Sequence, residues 1–528
     1  MKKTNLVIGL LVAAGAIWGG STWYIGQQAK GHIDTSVNKI NELLAKSYPN
    51  TKLSEVSYEK GFLSSTGIYK LVIAIPEFPE LPKEISFQTK VFHGPLPLIQ
   101  SGGFSPALAV TETTLLNDSN TKVLFDAANS QEPLVSKSVI SFSNDIENTL
   151  KTAILKFSLP EGEGEIVIEP AVATTHTNTD YAFFNTEAMI GSLNAVGQNG
   201  ELTIKADGFQ LSNKTTRTAN DNYIGDGTLK TGKFQATQKD ELILIDSMEM
   251  TGTFSETANG LVNAEIDYAI NKINVKNVDF GTTSIKMLVN NMDMKALEDF
   301  NKATASLNLS STSPEEEAAL EQHFKALFIK MADAKLGFSI EPLRIKGANG
   351  EAVVSFGVSF NGEKASSESR ESMELFAAEA LRKANFSISI DDSIIKEIGS
   401  GVVQVSEGAD KATADSQAEV IAGMAGFMAE QSGMAVYKDG KTTSVVNYDA
   451  SQPEDSQIDF NGKKMGLNEF AMTASSLLGF AGTSAGPAML DEEALFQALE
   501  NDDEVQEAEE AEEMHSHEIE PEQEPQGN

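Results

Sequence analysis

The residues that could carry chemistry in this chain are few and scattered. Six histidines, His32, His93, His176, His323, His515 and His517, lie far apart, apart from the last pair. None belongs to an HExxH or a comparable ligand pattern, which needs two imidazoles one helical turn apart. Cysteine is absent. That excludes disulfides, thiolate metal sites, iron–sulfur clusters and cysteine nucleophiles. Ser64 and Ser65 have no nucleophile elbow around them and no base assigned to them, so a turn is expected there. Gly225-Asp226-Gly227 lacks the ligand spacing of a calcium loop. His515 and His517, with Glu512, Glu513 and Glu518, could hold a divalent ion only by ordering a strongly acidic stretch, so solvation is the expectation. His93 ends a strand pattern and opens His93-Gly94-Pro95-Leu96-Pro97, where two prolines fix φ. A rigid turn is expected there, with ligand contact as the alternative. These residues point to no catalytic, cofactor or metal site, and a non-enzymatic protein is the expectation.

Charge narrows the partners. The net charge is −36, of which Asp491–Asn528 carries −16 with no Lys or Arg. A chain this acidic does not suit a nucleic-acid backbone, which is met by clustered cations. Residues 491–528 are rich in Glu and Gln and poor in aromatics, and a disordered tail is expected.

The elements that must position any site begin with an uncharged run from Leu6 to Ile25, preceded by Lys2 and Lys3. Its length suffices to cross a hydrocarbon core of about 30 Å. Trp18, Trp23 and Tyr24 stand at its far end, where amphipathic rings prefer the interface. An uncleaved anchor with residues 1–5 in the cytoplasm is expected, with a signal peptide cut at the small residues Ala14-Gly15-Ala16 as the alternative, and the rest of the chain in the periplasm. Residues 26–50 read as a helical stalk, with Val37, Ile40, Leu43 and Leu44 at helical spacing before Pro49.

From 51 to 293 the period is two. Leu202, Ile204 and Ala206 alternate with polar residues, as do Ala264, Ile266, Tyr268 and Ile270, and then Ile285, Met287 and Val289. Antiparallel sheet with one wet face follows. Asp207-Gly208 and Asn259-Gly260 read as the turns between strands. Residues 294–490 mix helices and strands. Ser313-Pro314-Glu315-Glu316 opens a helix. Asn349-Gly350 reads as a hairpin turn, and helices are expected near Ser372–Lys383, Asp415–Glu430 and Leu467–Phe480. In the second of these Val420, Ile421, Met424, Phe427 and Met428 form a stripe expected to be core, with a lipid- or partner-facing groove as the alternative. Gly423 and Gly426 would admit a close neighbour. The fold class is α+β: an extended antiparallel β-rich domain with helices mainly in the C-terminal half, plus one N-terminal transmembrane helix.

Four segments occur in a recognisable order: Trp18-x-Gly20-x-x-Trp23-Tyr24-x-Gly26, Lys60-Gly61-x-Leu63-Ser64-Ser65, His93-Gly94-Pro95-Leu96-Pro97-Leu98, and Asn461-Gly462-x-Lys464-Met465-x-Leu467-x-Glu469-Phe470. Together they resemble the YdgA family of Gram-negative bacteria over residues 1–480. The resemblance implies inner-membrane-associated, periplasm-facing proteins without established activity that associate as homo-oligomers. It marks His93, Gly94, Pro95, Gly61, Ser64, Ser65, Asn461, Gly462, Met465 and Phe470 as motif residues. The expected partners are the inner membrane through residues 6–25, a second copy of the chain, and an envelope protein or lipid.

Three functions are weighed. The first is binding or scaffolding in the cell envelope. The second is handling of a lipid or hydrophobe in an apolar β-groove, which requires an apolar face too wide for the helices to cover. The third, an envelope hydrolase, has no nucleophile, base and oxyanion set to support it.

Overall fold

The structure is a computed structural model and describes residues 37–45, 50–61, 64–73, 83–92, 107–129, 132–159, 164–197, 200–239, 241–305, 307 and 313–473. The Leu6–Ile25 run, the His93–Leu98 segment and the acidic tail lie outside these residues. Among the described residues no helix is long and apolar enough to cross a membrane.

Alternating side chains produce one dominant sheet. Among the described residues it has twenty strands. From its edge the order is Lys52–Lys60, Ser64–Val72, Glu84–Phe92, Ala109–Leu115, Leu134–Ile140, Asp145–Thr152, Ala171–Asn178, Phe183–Ile190, Phe209–Arg217, Tyr223–Thr231, Met248–Glu256, Val262–Ile270 and Thr282–Met292. It continues without interruption through Gly337–Lys346, Glu351–Phe360, Leu381–Asp391 and Lys441–Asp449 to Ile458–Phe460 and Lys463–Met465. Val436–Lys438 also pairs with Lys441–Asp449. Every pairing is antiparallel. The sheet is continuous across residue 293, so the β-rich and mixed regions share it.

A second sheet of eight strands holds the intervening pieces: Leu155–Ser158, Glu165–Ile168, Leu193–Gly197, Leu202–Ala206, Phe234–Gln238, Glu241–Ile245, Ile273–Val275 and Val278–Asp279. Each is joined to a strand of the large sheet by a two-residue corner. Ile190 and Leu193 flank one corner, Ala206 and Phe209 the next, Ile245 and Met248 another. Asp207-Gly208, expected to reverse the chain, is such a corner, and the strand continues through it from one sheet to the other. Asn259-Gly260 does reverse the chain, with Gly260 at φ +80°. The corners stay paired: the Asp207 amide donates to the Lys233 carbonyl at 2.7 Å and the Gly232 amide to the Gly208 carbonyl at 3.3 Å. A Cβ on Gly208 would lie 2.4 Å from the Ile190 carbonyl oxygen, so the corner closes only on glycine there.

The N-terminal third carries the densest core. Helix 37–45 does not stand off as a stalk: Ile40 and Leu44 are buried with Leu53, Tyr69, Leu71 and Phe87 on the large sheet. Asn41 fixes it by exchanging hydrogen bonds with the Leu53 backbone at 2.8 and 2.9 Å. Each such large side chain contributes roughly 1.5–3 kcal/mol when fully buried. Helices Met294–Thr304, Pro314–Asp333 and Met373–Ala380 form a separate layer. There Phe328 meets Phe360 and Phe376 edge-on at 5.2 and 5.9 Å. Arg370 clamps Asp333 from two nitrogens at 2.7 and 3.1 Å.

Helix Asp392–Ser406 has no counterpart in the sequence reading. It follows strand Leu381–Asp391 directly and packs against Lys411–Ser432. In the latter helix Ala414, Ala418 and Ala422 are buried, while Val420, Ile421, Met424, Phe427 and Met428 are exposed. The stripe expected to be core is therefore the outer face. Close approach of the two backbones at Gly399 and Ala418 selects small residues for the inner one.

Candidate functional site, an apolar trough

The corners set the geometry of the site. Within a strand, side chains on one face recur every second residue; across each corner they recur after three. The added residue shifts the phase and bends the strand, as a bulge does. Register keeps the apolar positions together through this shift. In the large sheet Ala171, Ile190, Phe209, Thr231, Met248 and Ile270 are cross-strand neighbours in one row. In the small sheet Ile168, Leu193, Ala206, Phe234, Ile245 and Ile273 form the facing row.

Both apolar faces turn to the same side. At one end helix Lys122–Ala128 packs on both: Phe125 is buried with Leu134 and Leu150 of the large sheet, Ala127 with Leu155 and Ile168 of the small one. At the other end helix Asp392–Ser406 contacts strands Glu351–Phe360 and Leu381–Asp391 and also the last strand of the small sheet. Gly401 admits Phe280 and Val278 there: a Cβ would lie 2.9 Å from the Phe280 ring. The two sheets thus form a trough, bridged by a helix at each end.

Between those helices the principal contacts of Phe209–Arg217, Tyr223–Thr231 and Met248–Glu256 are with their neighbouring strands. Met250 is 41 % exposed, Phe254 37 %, Phe356 38 % and Phe386 40 %. Ile243 of the facing sheet is 43 % exposed. Side chains that would be buried in a closed core stand open here. The inward positions of these strands are uncharged, except for Arg217, Glu241 and Glu256 at strand ends. The rim carboxylate of Glu256 accepts from Asn222 Nδ2 at 2.6 Å, Thr218 Oγ1 at 2.8 Å and Asn220 Nδ2 at 3.2 Å. These donors hold it below the ordinary glutamate pKa, the Asn222 bond contributing most. It ties two hairpin ends and is not free for proton transfer. The outward face is polar, with Lys286 paired to Glu265 and Lys230 to Glu249 at 2.9 Å. A depression of about 410 Å³ on that face is lined by Val172, Thr174, Glu187, Met189, Gln210 and Lys230.

The motif residues do not converge on the trough. Ser65 is buried on its own strand, and Ser64 begins that strand. Gly61 lies against Ser64, whose carbonyl oxygen a Cβ would approach to 2.2 Å. Asn461 and Gly462, at φ +50° and +84°, turn the chain between Ile458–Phe460 and Lys463–Met465. The turn lies between two strands. Met465 is buried beside Phe460, and Phe470 meets Phe460 edge-on at 5.5 Å. His93, Gly94 and Pro95 lie outside the described residues. His176 stands on the outward face 4.0 Å from Glu147. Among the described residues no three His, Asp or Glu side chains group as metal ligands. The trough residues Leu229, Met250 and Phe254 were not singled out in the sequence. Their signal was the phase shift at the corners, which turns alternation into a folded sheet.

A family model described as a bacterial protein of unknown function (DUF945) matches residues 1–468. Protein YdgA of Escherichia coli K12 is 24% identical over 492 residues, covering 89% of this chain and 96% of that protein. The uncharacterized protein YihF of the same organism is 23% identical over 497 residues, covering 88% and 98%. An uncharacterized Haemophilus influenzae protein is 27% identical over 164 residues, covering 29% of this chain and 42% of that one. No solved structure matches.

Proposed function

The chain belongs to the DUF945 family of bacterial proteins of unknown function, and from that premise and the trough we propose that it binds an elongated hydrophobic molecule, such as a lipid acyl chain, without transforming it. The observation that carries this reading is the open apolar face spanning Phe209–Arg217 to Leu381–Asp391. Leaving such side chains in water forgoes roughly 25 cal/mol per Å² of apolar surface, a deficit that a bound hydrophobe would recover. The same uncharged floor offers no acid, base or nucleophile to a substrate. The run Leu6–Ile25 supports a tether in the inner membrane, with the trough on the periplasmic side.

The test is mass spectrometry of the full chain extracted in native-lipid nanodiscs, together with displacement of an uncharged fluorescent alkyl probe. Met250→Glu places a charge on the trough floor and should weaken probe binding about tenfold or more, since an unpaired charge is costly beside apolar surface. Probe binding that is absent in the parent chain, or unchanged in Met250→Glu, sinks the proposal.

A second reading, an envelope scaffold, is favoured by one observation: the exposed row Val420, Ile421, Met424, Phe427 and Met428. Exposed apolar patches of this kind mark contact surfaces. If it is right, Met424→Ser with Phe427→Ser should abolish co-purification of an envelope protein while leaving probe binding intact. Unchanged co-purification would remove it.

A further inference from the structure

We infer that the trough is directional: it seats an uncharged, hydroxyl-headed amphiphile with its head at Thr186 and Asn213 and its alkyl chain running toward Phe356. The inference rests on the proposed reading of the trough and names its ligand class and orientation.

A single row of cross-strand neighbours changes character along the large sheet. It starts polar, with Ser138, Asn148, Thr175, Thr186 and Asn213 on successive strands. It then passes two bare positions, Gly227 and Gly252. Beyond them it is wholly apolar: Ile266, Met287, Ile340, Phe356 and Phe386. Deep in the polar part the groups satisfy one another. Asn148 Nδ2 donates to Ser136 and Ser138 hydroxyls at 2.8 and 2.9 Å, and the Thr175 and Thr186 hydroxyls pair at 3.1 Å. At the border this pairing stops. Asn213 Oδ1 is buried without a hydrogen-bond partner. The side chain as a whole is only partly buried, so its amide keeps hydrogen-bonding capacity that a polar head could use.

The head is uncharged because, among the described residues, the cross-strand neighbours of Asn213 are the uncharged Thr186 and Gly227, and an unpaired ion there would lose its hydration uncompensated. It is a hydroxyl because a hydroxyl donates and accepts, and so serves the amide oxygen or nitrogen of Asn213 and the Thr186 hydroxyl alike. The chain runs toward Ile266 and Met287 because the row offers only apolar surface in that direction. Gly227 and Gly252 leave the floor open where head and chain join, as interior strand glycines do where a ligand approaches the backbone.

Two sixteen-carbon alcohols distinguish the outcomes, one with a diazirine beside the hydroxyl and one with it at the chain end. Each is photolysed with the full chain in phosphatidylcholine nanodiscs, and the labelled peptides are mapped. The head probe should label Phe183–Ile190 and Phe209–Arg217, and the tail probe Thr282–Met292 and Gly337–Lys346. Reversed or evenly mixed labels overturn the orientation while leaving hydrophobe binding intact; no label on inward residues overturns the underlying reading itself. Competition against the uncharged fluorescent probe then tests the head. Hexadecanol should compete about fivefold better than its methyl ether, as one added hydrogen bond allows. Asn213→Leu should erase that preference without weakening the ether. Equal competition in the parent chain overturns the assignment of the hydroxyl seat.

Discussion

Asp391 ends one strand and joins three elements. Its Oδ2 accepts from the Glu351 amide at 2.9 Å, and its Oδ1 faces Lys441 Nζ at 3.2 Å. The backbone bond first, and the lysine second, hold its pKa below the ordinary 3.8. A depressed carboxylate stabilises the fold above its unfolded pKa, and that contribution is lost as pH falls through the folded value. Asp391→Asn should therefore cost about 1 kcal/mol at pH 7, the scale of one charge-assisted hydrogen bond. The gap between variant and parent should close in urea melts taken below the folded pKa. A gap that persists in acid would show that shape, and not charge, is what the site uses. The motif residues teach a related lesson. Met465, Phe470, Asn461 and Gly462 recur in a recognisable pattern, yet they build a small core and the turn that closes it.

Glycines separate contact faces from open ones at the scale of the element. In the bridging helix Asp392–Ser406, a Cβ on Gly401 would press on Phe280 and Val278. In helix Lys411–Ser432, a Cβ on Gly423 would meet nothing within 4 Å. Opposite signs follow. Gly423→Ala should stabilise by about 0.5–1 kcal/mol, because alanine loses less entropy in a helix. Gly401→Leu should destabilise by about 1–3 kcal/mol through overpacking. Urea midpoints of both variants against the parent check the pair. A loss at Gly423 would mean that another surface already rests on that helix. The same helix shows where periodicity was ambiguous. Its bulky and its small residues both recur at helical spacing, and apolarity alone selects the bulky set as core. The structure buries the alanines because a second helix crosses at Gly399. Asp391-Asp392-Ser393 does break the apolar pattern ahead of that helix, but strand Leu381–Asp391 runs into it with no loop between, so it was hidden as a separate element. The strands themselves were legible from alternation, as at Ala264–Ile270 and Ile285–Val289. Their folding into two sheets was not, since a corner such as Asp207-Gly208 has the composition of a reverse turn.

The whole molecule makes one trough from eight bent strands, and its length has a consequence for what it can discriminate. From Phe183–Ile190 to Leu381–Asp391 the inward face crosses nine strands of the large sheet, or about 38 Å at the usual strand spacing. That exceeds the roughly 30 Å thickness of a hydrocarbon core, which holds two acyl chains end to end. A closed pocket cuts off chains longer than itself; a trough of this length does not. Affinity for straight-chain alcohols should rise steadily from eight to sixteen carbons. Full burial of a methylene contributes about 0.8 kcal/mol, close to fourfold in affinity. A floor whose side chains stay near 40 % exposed, as Met250 and Phe386 do, covers a chain on one side only. A gain of about twofold per methylene is then expected, half the free energy of full burial. Ile266→Glu, midway along the row, should truncate the series, so that chains beyond about ten carbons gain nothing further; from Asn213 to that position is about three strand spacings, near 14 Å. Displacement titrations across the series read both slopes. A plateau in the parent chain at short length would replace the trough with a confined pocket, and an unbroken slope in Ile266→Glu would place the chain elsewhere than on this row.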